Sequence, residues 1–173
     1  MEKVSFGNLL FHTAFCCMAC DGDIDAEGEV PLLKSMCEKL PLLKDIDFQK
    51  DVNIFIGQIN EQGKGFLMNY LNVLKNASLS EEEELILIDY AIQMIKADNI
   101  IQYSEVKFFK TIRHRLKISD EKILEKFPDI EQFLEDDIET ESLLDRITSQ
   151  YLDIANLPTF EFISIDASLL EKK

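Results

Sequence analysis

Apolar residues recur along this chain at intervals of three and four, the period of a helix seen from one side. The first such run, Val4–Cys20, distributes Phe6, Leu9, Leu10, Phe11, Ala14, Phe15, Cys17, Met18 and Ala19 around nearly its whole circumference. A helix that is apolar on all sides must be wrapped by others, so this one is predicted to be central. A second run, Glu29–Leu40, begins under the constraint of Pro31. With Gly28 as N-cap, Pro31 takes the third helical position, where its missing N–H has no intrahelical partner.

Two amphipathic stretches follow. Asp47–Glu61 sets Val52, Phe55, Ile56 and Ile59 on one face, and Gly65–Asn76 does the same with Phe66, Tyr70, Val73 and Leu74. Gly63 and Gly65 separate them. Ser80 and Glu83 form a capping box that opens a helix over Ser80–Ala97. Its Ile86, Ile88, Ala91, Ile92, Met94 and Ile95 make it the second central helix. Glu105–Leu116 is predicted next, with Ser104 as N-cap and Arg113, Arg115 and Lys117 at the end that favours cations. Shorter helices are expected over Ser119–Lys126 and Ile130–Asp136, and a further one over Glu141–Leu152. Leu157–Lys173 carries Phe160, Phe162 and Ile165 and reads as an extended arm. Strand-like alternation is scarce, and Gly (6) and Pro (4) are few. The predicted class is all-α.

One unit in this pattern occurs twice. Ala-Cys-Asp21-Gly22-Asp23-Ile24-Asp25-Ala-Glu27-Gly28-Glu29-Val30 joins the first two helices, and Ala97-Asp98-Asn99-Ile100-Ile101-Gln102-Tyr-Ser104-Glu105-Val106 joins a later pair. Gly22 and Asn99 are the residues that tolerate a left-handed conformation at a helix end. Val106, Phe109 and Ile112 answer Val30, Leu33 and Met36. The copies differ by one residue in turn length, so the repeat is divergent.

An Asp-Gly-x-Ile-x-x-x-Glu turn after an apolar helix, repeated across an all-helical domain, resembles the TerB-like family. That family includes tellurite-resistance proteins of the TerB type and N-terminal domains of membrane-anchored J-domain co-chaperones. The resemblance spans roughly residues 4–118. It implies a compact bundle of about seven helices with pseudo-twofold symmetry. It further implies a bacterial stress-response setting, metal-linked phenotypes, membrane-proximal assemblies with a protein partner, and no enzymatic activity. The family's acidic positions carry over onto Asp21, Asp25 and Glu29 in the first copy, and onto Asp98 and Glu105 in the second. Glu29 lies one residue later than the usual spacing, with Gly28 where the Glu would fall, and Gln102 stands in place of the second Asp. The expected division is a helical domain over 1–125 and an acidic extension over 126–173.

Charge narrows the chemistry. The net charge is −15, more than half of it in residues 126–173. Phosphate binding needs a basic face, so nucleic acid is not an expected partner; cations, basic proteins or other polar partners are. No secretory signal is visible, and Leu9–Cys20 is too short to span a bilayer. The expected setting is the cytoplasm without membrane insertion.

The acidic turns carry the most chemistry. Asp21, Asp23, Asp25, Glu27 and Glu29 crowd carboxylates that repel one another unless a cation or water intervenes. Asp21 also sits at a helix C-terminus, where the dipole disfavours an anion. A divalent Ca²⁺ or Mg²⁺ site from Asp21, Asp23, Asp25, Glu29, Asp98 and Glu105 is one reading. The other is structural, with the acids bonding turn amides and favouring helix N-termini. An EF-hand is excluded, because its first two ligand positions would fall on Cys17 and Ala19.

Elsewhere the residues point to packing. His12, Cys16 and Cys20 share a helix face but span about 12 Å, too far for one soft metal. With Cys17 and Cys37 they read as core. His114 lies between arginines at an exposed helix end. No catalytic motif is present, and the chain has 2 His in all. The expected function is a non-enzymatic interaction module. The alternative is a metal-dependent hydrolase, which would need at least three carboxylates converging in one pocket.

Overall fold

The computed structural model describes residues 5–20, 22–97, 101, 103–134 and 159–163. They form eight α-helices, two short 3₁₀ turns and no strand.

Helix α1 (Phe6–Ala19) is capped by Ser5, whose Oγ accepts the Asn8 N–H at 3.2 Å. Leu9–Leu10–Phe11 and everything from Thr13 to Cys20 are buried. This is the central helix that its sequence predicts. Five further helices run α2 (Glu29–Lys39), α3 (Phe48–Gln62), α4 (Lys64–Asn76), α5 (Glu81–Ile95) and α6 (Tyr103–Arg113). Beyond them lie α7 (Asp120–Lys126), a 3₁₀ turn (Pro128–Ile130) and α8 (Glu131–Leu134).

Helix α5 packs along α1 and is the second hub. The capping box forms as expected: Glu83 N–H donates to Ser80 Oγ at 3.2 Å, and Ser80 N–H donates to Glu83 Oε2 at 2.9 Å. Helix α2 packs on α5, and α6 packs on both α5 and α1.

Helices α3 and α4 form a hairpin across α1. Gly63 makes the bend at φ 57°, ψ −130°, a conformation open essentially to glycine alone. Gly65 falls inside α4. The hairpin brings Phe55 against Phe11, Phe15 and Phe66, with ring centroids 5.3–5.6 Å apart. Two buried hydroxyls in this layer are paired. Tyr70 donates its hydroxyl to Thr13 Oγ1 at 2.8 Å, and Thr13 donates to the Leu9 carbonyl at 2.8 Å.

Glu84, in the first turn of α5, is 5 % exposed. Its carboxylate accepts the backbone N–H of Lys117 at 3.0 Å and of Ile118 at 2.7 Å. It thereby ties down the segment after α6. The acidic extension shares the core: Ile130, Phe133 and Phe160 are buried in it, and the Phe133 ring lies 5.7 Å from that of Phe109.

Three details differ from expectation. Helix α6 starts at Tyr103, so Ser104 lies within its first turn rather than ahead of it. Val73 is 37 % exposed, and Leu67 and Leu71 take the core positions beside Phe66, Tyr70 and Leu74. The buried stripe of α4 is centred between two rows, which leaves Val73 on its flank. Among the described residues, the helix expected from Ile130 begins instead at Glu131, after a 3₁₀ turn over Pro128–Ile130. The expected helix over 141–152 and most of the arm lie outside the described residues. No described helix is long and apolar enough to cross a membrane.

Candidate functional site

The first acidic turn lies at the C-terminal end of α1, close to where α5 ends. Helix α1 gives way to the first turn at Cys20, and Gly22 reverses the chain at φ 85°, donating its N–H to the Ala19 carbonyl at 3.1 Å. The left-handed glycine expected there is present. The next residues fold the turn with their own carboxylates. Asp25 N–H donates to Glu29 Oε2 at 2.9 Å, Glu27 N–H donates to Asp25 Oδ1 at 2.9 Å, and Val30 N–H donates to the Asp25 carbonyl at 3.1 Å. The Asp25 bond is an Asx turn, and the Glu29 bond reaches back over the start of α2.

This arrangement explains a glycine where a serine or asparagine would be the better N-cap. A methyl group on Gly28 would come within 2.5 Å of Asp25 Oδ2. The space that a capping side chain would take is filled by Asp25. Helix α2 then begins at Glu29 with Pro31 at its third position, as the sequence requires.

The same methyl group would lie 3.6 Å from the Ala97 carbonyl oxygen, at the entrance to the second turn. The first turn therefore touches Ala97. Their glutamates converge as well. Glu29 is 4 % and Glu105 1 % exposed, and both press on the thiol of Cys17 near the end of α1. Burial first, then Glu105, then Glu29, push that thiol far above its ordinary range. Two glutamates from segments distant in sequence thus share one neighbour in the interior.

The candidate acids divide by role. Glu29 and Glu105 face inward; Asp25 is half-buried and spent on its own turn; Asp23 and Glu27 are exposed. Asp21 and Asp98 lie outside the described residues. Their hard oxygen donors are of the kind that Ca²⁺ and Mg²⁺ take. Among the described residues, no three His, Cys, Asp or Glu side chains are grouped to hold a metal ion.

The other candidates are core or surface. Cys16, Cys17, Cys20 and Cys37 are buried thiols outside any disulfide, and Cys20 donates its thiol to the Cys17 carbonyl at 3.2 Å. His114 is exposed. His12 sits among the rings of Phe55, Phe66 and Tyr70 at 4.7–5.0 Å, and its Nε2 has no hydrogen-bond partner among the described residues. Burial lowers its pKa from 6.5 to about 4, so it is neutral at pH 7. It borders a shallow recess of ≈ 290 Å³ shared with Asn8, Phe11, Ile46, Asp51, Ile54 and Phe55.

Sequence reasoning missed one set of binding residues. Gln49, Asn53 and Asn60 on α3 hold the backbone of residues 160 and 163. The only signal available was two asparagines seven positions apart on one helix. Comparison of the chain with protein-family models, curated proteins and solved structures gives no match.

Proposed function

We propose that this chain is a non-enzymatic helical interaction module of a TerB-like stress-response system, and that its paired acidic turns offer carboxylates to a divalent cation or a polar protein partner. One observation carries the reading: Gly28 of the first turn lies against Ala97, the residue that leads into the second acidic segment, although the two are far apart in sequence. The division of the acids supports the same reading. Glu29 keeps the first turn in shape from inside, while Asp23 and Glu27 face solvent, where a ligand could reach them. Family resemblance supplies the biological setting and rests on the duplicated turn.

The module reading is preferred over a carboxylate-dependent hydrolase. The latter requires at least three acids, or histidine with acids, converging in one pocket, and the chain has 2 His in all. Calorimetric titration of the full chain with Ca²⁺, Mg²⁺ and Zn²⁺ tests the cation part. Saturable heat with one ion, reduced in Asp21→Asn, Asp23→Asn and Asp98→Asn, supports it. Flat traces for every ion remove it and leave the polar-partner part to pull-down with charge-reversed turns.

A further inference from the structure

The outward side of α6 is basic, in a chain whose net charge is −15. Phe108, Phe109 and Ile112 of this helix are buried, and Glu105 is buried with them. At about 100° per residue, Lys107, Lys110, Arg113 and His114 fall on the opposite half. Arg115 and Lys117 follow directly, and no Asp or Glu occurs between Val106 and Lys117. His114 and Lys117 are exposed, whereas Lys107, Lys110 and Arg113 are half-buried. Arg113 is joined to Asp120 at 2.5 Å. The helix dipole accounts for cations in the last turn, at Lys110 and Arg113. It does not account for Lys107, which stands in the first half of the helix. Like charges three and four residues apart repel one another, so the stripe costs stability unless an anion lies on it.

The chain itself supplies the complement. Residues 135–141 read Glu135-Asp136-Asp137-Ile138-Glu139-Thr140-Glu141, acids with no base among them. This run starts where α8 ends, and α8 lies on α6, the Phe133 ring 5.7 Å from that of Phe109. Helix α6 has 11 residues and is about 16 Å long. Seven residues of chain reach at most about 23–25 Å. From the end of α8 the run is therefore long enough to pass along the whole stripe. The far side of the extension is fastened too. Asn60 and Asn53 clamp the backbone of Phe160 and Ile163 onto α3, each accepting the N–H and donating to the carbonyl at 2.7–2.9 Å. A segment held at both ends meets α6 at an effective concentration on the order of mM, which favours it over the same charges on another molecule.

We propose that the outward face of α6 is the docking site of the chain's own acidic run, residues 135–141, which lies on Lys107, Lys110 and the cations around them. Each exposed ion pair is weak, so the attachment is a sum over several pairs and depends on ionic strength. Docked, the run covers a basic face on which acidic segments of other copies would otherwise settle.

Carbodiimide cross-linking of the full chain tests this, since the reagent joins a carboxylate to an amine only where the two are in contact. Mass spectrometry of the digested product should find Lys107 and Lys110 coupled to acids of residues 135–141 at low salt. The yield should fall at least about fivefold in about 1 M NaCl, where the Debye length shrinks to about 3 Å. Lys107→Glu with Lys110→Glu should abolish these products, and adding Asp136→Lys with Asp137→Lys should restore a cross-link between the same two segments; circular dichroism checks that the variants fold. The wild-type measurement stands without them. Coupling of the two lysines only to acids outside residues 135–141 overturns the proposal, as does a yield indifferent to salt. In an equal mixture of ¹⁵N-labelled and unlabelled chains, products carrying both isotopes would make a second copy the occupant and overturn the assignment.

Discussion

Tyr70 reaches through the apolar interior to donate its hydroxyl to Thr13, 57 residues earlier in the chain, at 2.8 Å. Both residues are fully buried. Thr13 passes the chain on to the Leu9 carbonyl, so neither hydroxyl is stranded. The link fastens α4 to α1. Thr13→Val removes the acceptor and leaves the Tyr70 hydroxyl buried without a partner, at a cost of about 1–3 kcal/mol. Tyr70→Phe should cost less, about 1 kcal/mol, since Thr13 keeps its own bond. Urea unfolding of both single variants and the double variant should show the double to be less damaging than the sum.

His12 should make stability fall in mild acid. The folded state holds its pKa near 4 by burial, whereas the unfolded chain takes up the proton at about 6.5. Between those values the unfolded state binds more protons, so stability is fully present above pH 6.5 and lost as pH drops to about 4. The loss amounts to at most about 3 kcal/mol. His12→Leu removes this contribution. The stability difference between variant and wild type should therefore shift in favour of the variant from pH 7.5 to pH 4.5, and an unchanged difference would refute the assignment.

Glu84 holds the strand of chain after α6 by two backbone amides, from a site 5 % exposed. Glu84→Ala abandons both amides in the interior and should destabilise by about 2–4 kcal/mol. Hydrogen exchange localises the effect. The Lys117 and Ile118 amides should lose protection well before those of α5.

Two glycines are fixed by what stands next to them. A methyl group on Gly7 would fall 2.2 Å from the Leu42 carbonyl oxygen, so α1 touches the 3₁₀ turn Pro41–Leu43 backbone to backbone. Gly7→Ala should cost about 1–3 kcal/mol through forced displacement. Gly63→Ala meets open space but must hold φ 57°, and should cost about 1–3 kcal/mol through backbone strain alone. Thermal unfolding of each variant measures both.

The thiols should be silent in the native chain. Burial raises the pKa of Cys16 and Cys17, and raises that of Cys37 to about 12, with Asp51 and Glu38 adding to the effect on Cys37. All four lie in the core. A disulfide reagent at pH 8 should label none of them until denaturant is added.

The helices were legible because period and punctuation agreed. An apolar stripe, Ser80 with Glu83, Asp47, Ser119 and the bend at Gly63 mark their ends locally. The start of α6 was misjudged because Ser104 looked like a capping residue, and helix starts are set by hydrogen bonds that composition does not display. Gly28 was placed at the right position for a reason only half visible. Its need for space comes from Asp25, three residues back, folding over it. Contact of Gly28 with Ala97 was beyond reach of periodicity, since it depends on how helices distant in sequence pack together. The clamp was hidden more deeply. Asn53 and Asn60 occupy what reads as a solvated face, and their partners lie 100 or more residues away.

The packing of α5 along α1 bears on how the molecule can come into being. The stretch ending at Asn76 holds one hub with no cover for the side that α5 and α6 occupy, and the stretch from Ser80 onward lacks the helix its own hub rests upon. A ribosome releasing the first stretch exposes a bare apolar ridge until the second emerges. Split between Asn76 and Ser80, the gene would encode two fragments, each exposing the apolar face that the other covers.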